Sequence, residues 1–237
     1  RNMEGEASWV TSIKNTPLAK PQKALYQYNL SKVTTSNGWE HLSPIKHLGD
    51  FGPELSFGQQ LIPTMKDGEI LAIYKFTDSG SQSLDWLPKG SKESYRDRYQ
   101  DWITGIKKCR DDLTEQGYQC EIPAIFWHCG ENDRALNWMA DKYTDRFQTF
   151  MNATRKDLEL PHLNWILTEQ PILTADITGD EKLYDLNSDL EALDASDPNF
   201  TFVKTSDLPH NPVVFGSKGT IALGNRMAEA WTKIILE

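Results

Sequence analysis

The sequence is short of cysteine and of long hydrophobic runs. Its 237 residues include three cysteines, and no CxxC or HExxH pattern typical of a zinc site occurs. The most strongly apolar stretches, such as residues 124–127 and 234–236, are far too short to cross a bilayer. We therefore predict no membrane span and no metal site. The cysteines are either three buried thiols, or a bridge between Cys109 and Cys120 with Cys129 left over.

Basic residues are also scarce. Lysine and arginine number 25 against 34 aspartates and glutamates, which gives a formal net charge of -9. Proteins that bind nucleic acid need clustered lysine and arginine to neutralise phosphates. The densest basic group here, formed by Lys107, Lys108 and Arg110, is better explained as the solvated face of a helix. We predict no nucleic-acid partner.

No apolar segment of a signal peptide follows Arg1. That beginning fits either a cytoplasmic protein or a secreted protein that has already been processed. Glycosylation sequons start at Asn29, Asn152 and Asn199, and they favour a secreted glycoprotein. We therefore expect a secreted or extracellular protein, with a cytoplasmic location as the alternative.

Short apolar runs alternate with amphipathic stretches from residue 53 onward. Such runs are typical of strands buried in a parallel sheet, and apolar positions three and four apart are typical of helices. Residues 1–52 carry many Gly, Pro, Asn and Ser and are predicted to be long loops. The alternation predicts a single α/β domain over residues 1–237, a three-layer α/β/α sandwich with a flavodoxin-like parallel sheet. The predicted strands are residues 70–74, 124–127, 163–167 and 200–203, and the predicted helices start at Pro53, cover 91–116 and 135–158, and follow Gly219.

Polar residues suited to catalysis follow three of these predicted strands, at the edge where parallel sheets bind ligands. Gly80 follows the first strand, Asn132 the second, and Asp207 and His210 the fourth. Acyl transfer needs a nucleophile, a base, a carboxylate that orients the base, and hydrogen-bond donors for the oxyanion. Gly80 and Asn132 would be the donors, and Asp207 would orient His210 as the base. The pattern supplies every part except the nucleophile.

Several blocks of the chain occur in the order found in one known family. They are residues 1–5 (RNMEG), 52–58 (GPELSFG), 79–86 (SGSQSLDW), 126–133 (FWHCGEND) and 155–158 (RKDL). Through these blocks the chain resembles, over nearly its whole length, the carbohydrate-esterase branch of the SGNH hydrolases. That branch contains acetylxylan esterases and sialate O-acetylesterases.

The resemblance implies hydrolysis of O-acetyl esters on carbohydrate. The family mechanism is attack by a serine, with a histidine base, an orienting aspartate, and an oxyanion held by Gly80 and a side-chain amide. It implies no metal and no organic cofactor. We expect an acetylated sugar as the partner, contacted by Arg1, Asn2, Glu131 and His128.

Four key positions depart from the family pattern. Arg1 stands where the family has its nucleophilic serine, and a guanidinium has no lone pair with which to attack. Cys129, Asn211 and Val214 stand where the family has a glutamine, an aspartate and the catalytic histidine. Two alternatives to a serine esterase therefore stay open. One is an inactive esterase fold that binds carbohydrate or has a structural role, and the other is a thiol esterase that uses Cys129.

The strand that leads into the family's serine would precede Arg1. A parallel sheet without that strand would leave backbone hydrogen-bonding groups unpaired, which is costly. We therefore expect an upstream segment, another part of the chain, or a protein partner to complete the sheet.

Overall fold

The computed structural model describes residues 12–31, 33–45, 48–134, 137–169, 186–210 and 215–236. The chain falls into two compact units, residues 1–77 with 207–237, and residues 78–206. Within the described residues each unit contains one three-stranded sheet. The predicted α/β class is confirmed by these sheets and the helices that accompany them.

The first unit is built on a mixed sheet. Its strands are β1 (Gln22–Asn29), β2 (Glu40–Leu42) and β3 (Ala72–Phe76), in the order β2-β1-β3. β1 runs parallel to β3 and antiparallel to β2. The Tyr26 hydroxyl donates to Glu54 Oε1 at 3.1 Å, and Lys75 Nζ lies 3.0 Å from the same carboxylate. The buried Glu54 carboxylate therefore links β1 and β3.

β1 and β2 lie in the segment that was predicted to be loops, so that prediction is wrong for residues 22–29 and 40–42. Along β1, Ala24, Tyr26 and Tyr28 are buried and alternate with more exposed residues. This period of two is the signal of a strand. The density of Gly, Pro, Asn and Ser around it outweighed that signal in the prediction.

Two helices of the first unit, α1 (Glu54–Leu61) and α7 (Ser217–Leu236), pack closely against each other. The Ser56 hydroxyl donates to the Ile221 carbonyl oxygen at 2.8 Å. Close approach is possible because position 224 is glycine. A Cβ there would collide with the Pro53 carbonyl oxygen and the Ser56 hydroxyl.

The second unit has an all-parallel sheet. Its strands are β4 (Ala124–Trp127), β5 (Asn164–Thr168) and β6 (Phe200–Val203), in the order β4-β5-β6. Trp127 pairs with Leu167, and Thr168 pairs with Val203, so the three strands end at the same edge. The helices of this unit are α2 (Arg98–Glu115), α3 (Glu131–Arg134), α4 (Asn137–Ala140), α5 (Tyr143–Asp157) and α6 (Asn187–Ser196).

An aromatic cluster fills the core of the second unit. Phe150 of α5 lies at its centre, with ring centroids 4.7 Å from Trp127, 5.0 Å from Trp102 and 5.2 Å from Trp165. Trp86 packs edge-on against Trp127 at 4.9 Å. Both Trp86 and Trp127 are buried, so they stabilise the core.

The bounds of the elements agree with the prediction most closely in the sheet. β4 and β6 occupy the predicted residues, and β3 and β5 begin two and one residues later than predicted. The predicted helix 91–116 begins only at Arg98, where the Asp97 carboxylate accepts the Gln100 N–H and caps it. None of the described helices combines the length and the apolar character that a membrane span requires.

The glycine at position 224 gives a test of the α1–α7 contact. Helix propensity alone predicts that Gly224→Ala stabilises the protein by roughly 1 kcal/mol. The collision with α1 instead predicts a loss of about 1–3 kcal/mol in the free energy of unfolding. Urea unfolding of the two proteins measures the sign, and a more stable variant would contradict the packing described here.

Candidate active site

The candidate site lies at the carboxyl edge of the parallel sheet in the second unit. His128, Glu169 and Lys204 directly follow β4, β5 and β6. Three segments contribute to it: residues 78–86, which we call the Gly80 loop, the turn 128–130 with α3, and the residues after β6. The paired strands fix the starting point of the last two.

The Gly80 loop is held at both ends by arginines that precede or begin α2. Asp78 Oδ2 lies 2.9 Å from Arg98 Nε, and Asp85 Oδ1 lies 3.5 Å from Arg96 Nε. Gly80 itself has a φ of +76°, in the left-handed region that favours glycine. Gly80 is exposed, and among the described residues none accepts a hydrogen bond from its N–H.

A buried carboxylate joins the Gly80 loop to α3. Asp133 has no exposed surface, and its two oxygens accept the Ser83 N–H at 3.1 and 3.0 Å. The Ser83 hydroxyl donates a further, short hydrogen bond to Asp133 Oδ1. Burial raises the pKa of Asp133 to about 6, although the Ser83 bonds and the Arg146 charge partly oppose this shift.

Arg146 of α5 supplies a buried positive charge beside this pair. Its Nη1 lies 3.5 Å from Ser83 Oγ and donates to the Met139 carbonyl oxygen at 3.2 Å. Its Nε donates to Glu93 at 2.7 Å. Asp133, Ser83, Arg146 and Glu93 thus form one chain of polar contacts from α3 through the loop to α5.

The structure brings Asn132 next to the Gly80 loop. Its side-chain Nδ2 donates to the carbonyl oxygen of Ser81, the residue after Gly80, at 3.2 Å. The same nitrogen carries a second hydrogen that this contact does not use. Two hydrogen-bond donors, the Gly80 N–H and the Asn132 amide, therefore lie in neighbouring segments whose separation is fixed by the Ser81 and Ser83 contacts.

Comparison with known families shows to which family the chain belongs. The chain matches the model of a family described as carbohydrate esterase, sialic acid-specific acetylesterase, over residues 1–233. The chain belongs to this esterase family. No curated protein matches the chain.

Solved structures of esterases and related proteins share its fold. An Arabidopsis thaliana protein matches with a TM-score of 0.68 and 18% identity, over 92% of this chain and 84% of its own. A carbohydrate acetylesterase from Xanthomonas citri matches with a TM-score of 0.67 and 17% identity, over 91% of this chain. The chain covers half of that protein, 50% of its length. NanS matches with a TM-score of 0.57 and 12% identity, over 87% of this chain and 76% of its own.

Cys129, in the turn after β4, has surroundings that oppose a thiolate. Burial, followed by the nearby Glu131 and Asp133 carboxylates, raises the pKa of the Cys129 thiol well above its usual value. Ser81 Oγ lies 4.0 Å from Sγ, and it lowers the pKa only in part. A protonated thiol is a poor nucleophile, so this geometry speaks against the thiol-esterase alternative.

Gly130, the residue after Cys129, ends the turn with a φ of +139°. A Cβ at that position would lie 3.1 Å from the Tyr143 ring. The Tyr143 hydroxyl donates to the Cys129 carbonyl oxygen at 2.6 Å. The end of β4 is therefore locked before α3 begins, and α3 carries Asn132 and Asp133.

Of the predicted substrate contacts, His128 and Glu131 border this turn. His128 Nδ1 lies 2.6 Å from Thr168 Oγ1 on the neighbouring strand, and His128 is exposed at the surface. Glu131 accepts the Gly130 N–H at 3.1 Å, and burial raises its pKa. Contact of either side chain with a sugar stays a prediction.

Asp207 and His210 belong to the first unit, and the structure gives Asp207 another partner. Its two carboxylate oxygens accept hydrogen bonds from Arg226 of α7 at 2.8 and 3.3 Å, which lowers its pKa. The His210 ring packs edge-on against Phe215 at 6.2 Å. The pairing of Asp207 with His210 stays a prediction. Four other positions with predicted roles or departures lie outside the described residues: Arg1, Asn2, Asn211 and Val214.

Three residues at this edge were not singled out in the sequence. Ser83 and Arg146 hold Asp133, and Glu169 binds the segment after β6. For Glu169 a signal existed, because a carboxylate directly after a buried strand stands at the ligand-binding edge of a parallel sheet. Ser83 and Arg146 gave no such signal, since serine in a loop and arginine in a helix are common. Within the described residues, no group of three His, Cys, Asp or Glu could hold a metal ion.

The raised pKa of Asp133 predicts a pH dependence of stability. A carboxyl whose pKa rises from 3.8 unfolded to about 6 folded stabilises the folded state below pH 4, and this contribution is lost as the pH rises through 6. Relative to Asp133→Asn, the wild type should lose on the order of 3 kcal/mol of unfolding free energy from pH 4 to 7, since one pKa unit is about 1.4 kcal/mol.

Urea unfolding of both proteins at several pH values measures this difference. The exposed Asp141, changed to Asn, is the matched control and should follow the wild type at every pH. If the stability difference between wild type and Asp133→Asn is constant from pH 4 to 7, the raised pKa of Asp133 is contradicted.

Proposed function

We propose that the protein is a carbohydrate O-acetylesterase in which Gly80 and Asn132 hold the oxyanion of the reacting acetyl group. The observation that supports this is the 3.2 Å hydrogen bond from Asn132 Nδ2 to the Ser81 carbonyl oxygen. It keeps the side-chain amide beside the Gly80 N–H, and both donors belong to segments fixed by buried contacts. Donors held in place before reaction stabilise developing negative charge without a reorganisation cost.

In the reaction that we propose, a serine hydroxyl attacks the acetyl carbonyl carbon, and its proton passes to the imidazole of His210. Negative charge then develops on the carbonyl oxygen and is held by the Gly80 N–H and the Asn132 amide. As the ester bond breaks, the proton passes to the departing sugar oxygen. Water then attacks the acetyl-enzyme, and acetate leaves. The labelling experiment below identifies the serine.

The family description, which names a sialic acid-specific acetylesterase, supports an acetylated sugar as the proposed substrate. Acetylated sialic acid is accordingly the first sugar to test, and other acetylated carbohydrates come second. The Xanthomonas citri relative is described more broadly, as a carbohydrate acetylesterase.

A second candidate is an esterase fold that binds acetylated sugar without hydrolysing it. One observation favours it. The Asp207 carboxylate accepts a hydrogen bond from Arg226 at 2.8 Å. This contact weakens the argument that Asp207 orients a catalytic histidine. Binding at Gly80 and Asn132 would not need that aspartate.

Two measurements on the purified protein separate these candidates. A fluorophosphonate probe should label one serine stoichiometrically, with the site mapped by mass spectrometry, and His210→Ala should abolish labelling. Hydrolysis of acetylated sialic acid should fall about 100–1,000-fold in kcat in Asn132→Ala, with KM changed little, because the amide acts on the transition state.

Asn15→Ala, at an exposed turn of the first unit, is the control and should keep the wild-type rate. Folded protein that binds the acetylated sugar but shows neither labelling nor hydrolysis would establish the second candidate. Full activity in Asn132→Ala would contradict the oxyanion site.

A further inference from the structure

Glu169 is a buried carboxylate that the proposed chemistry does not use. It directly follows β5, and 4% of the residue is exposed. Its Oε2 accepts the N–H groups of Thr205 at 2.8 Å and Ser206 at 2.9 Å. The Thr205 hydroxyl also donates to the Glu169 backbone carbonyl oxygen at 2.8 Å. A buried charge is costly unless it is hydrogen-bonded in this way, so Glu169 ties the segment after β6 firmly to the end of β5.

The second carboxylate oxygen of Glu169 extends the hydrogen-bond network to α6 and α3. Oε1 accepts a hydrogen bond from the Asn187 side-chain amide at 2.6 Å. The Asn187 Oδ1 in turn accepts from Arg134 Nη2 at 3.3 Å. Arg134 is buried at the end of α3, two residues after Asn132. The network therefore runs from the helix that carries Asn132 to the backbone of Thr205 and Ser206.

The segment held by Glu169 leads straight into the predicted base. Ser206 is followed by Asp207, and His210 is three residues further on. We propose that Glu169 is a positioning residue, which fixes Thr205 and Ser206, the start of the segment that leads to His210, relative to the helix carrying Asn132. The inference rests on the proposed function, because fixing this segment affects the rate only if His210 is the base.

The hydrogen-bond directions make Glu169 hard to replace. Both oxygens accept, and every partner donates. In Glu169→Gln, an amide oxygen facing Thr205 and Ser206 puts the new NH2 group against the Asn187 NH2 group, a contact between two donors. If Asn187 turns over to relieve it, its NH2 group then faces Arg134, which also donates. Each orientation leaves one pair mismatched.

The double variant Glu169→Gln/Asn187→Asp removes the mismatch. The new amide at position 169 donates to the new carboxylate at position 187, which also accepts from Arg134. All the donor and acceptor directions are then satisfied, and the buried charge is moved rather than lost. Rescue by this exchange separates a positioning role from a general loss of folding.

The experiment compares wild type, Glu169→Gln, the double variant and Glu191→Gln. Glu191 is the matched control because it lies 2.6 Å from Lys204, beside the same segment, but is half exposed. Two readouts are taken: kcat and KM for acetylated sialic acid, and hydrogen exchange of the peptide covering residues 204–210. We expect Glu169→Gln to lower kcat about tenfold or more with KM within twofold, and to speed exchange in residues 204–210.

The double variant should recover most of both losses, and Glu191→Gln should match the wild type in both. Unchanged kcat and exchange in Glu169→Gln, or failure of the double variant to recover either, would overturn the inference. If the wild type itself shows no hydrolysis, the proposed function has failed. Exchange in residues 204–210 then decides the positioning role by itself, since local exchange that is unaffected by Glu169→Gln would overturn it.

Discussion

The candidate site depends on how one fully buried carboxylate, Asp133, is satisfied. Removing such a group from water costs several kcal/mol unless hydrogen bonds and charges compensate it. Here the compensation comes from Ser83, through its backbone N–H and its hydroxyl, and from the Arg146 guanidinium behind Ser83. Because Ser83 belongs to the Gly80 loop and Asp133 to α3, satisfying the charge also sets the distance between the two donors that we propose hold the oxyanion. The pKa of about 6 shows that compensation is incomplete, a cost that functional sites commonly carry.

A second buried carboxylate, Glu169, is compensated in the same way. Glu169 binds Thr205 and Ser206 and reaches Arg134 through Asn187. Short segments without regular structure are thereby attached to strands and helices by charge-assisted hydrogen bonds, which are shorter and stronger than neutral ones. This is how loops that carry function can be placed accurately on a parallel sheet. A site built from loops at the edge of a parallel sheet is consistent with membership of a carbohydrate esterase family.

The sequence predicted the α/β class and the strands 124–127 and 200–203, and both follow from apolar runs. It did not predict β1, whose period of two stood among Gly, Pro and Asn, nor the partner of Asp207, because Arg226 is 19 residues away on a helix face. The roles of Ser83 and Arg146 depend on tertiary contacts across 50 and 63 residues, which local patterns do not contain.

The central claim is that the Ser83–Asp133 contact fixes the Gly80 loop relative to Asn132. A double-mutant cycle of Ser83→Ala and Asp133→Asn, read out by hydrogen exchange of residues 78–86, tests it most directly. The account predicts that each single variant speeds exchange in this loop more than elsewhere, and that the double variant is little worse than the more affected single variant. Additive effects of the two changes, or exchange in residues 78–86 that neither change alters, would contradict it.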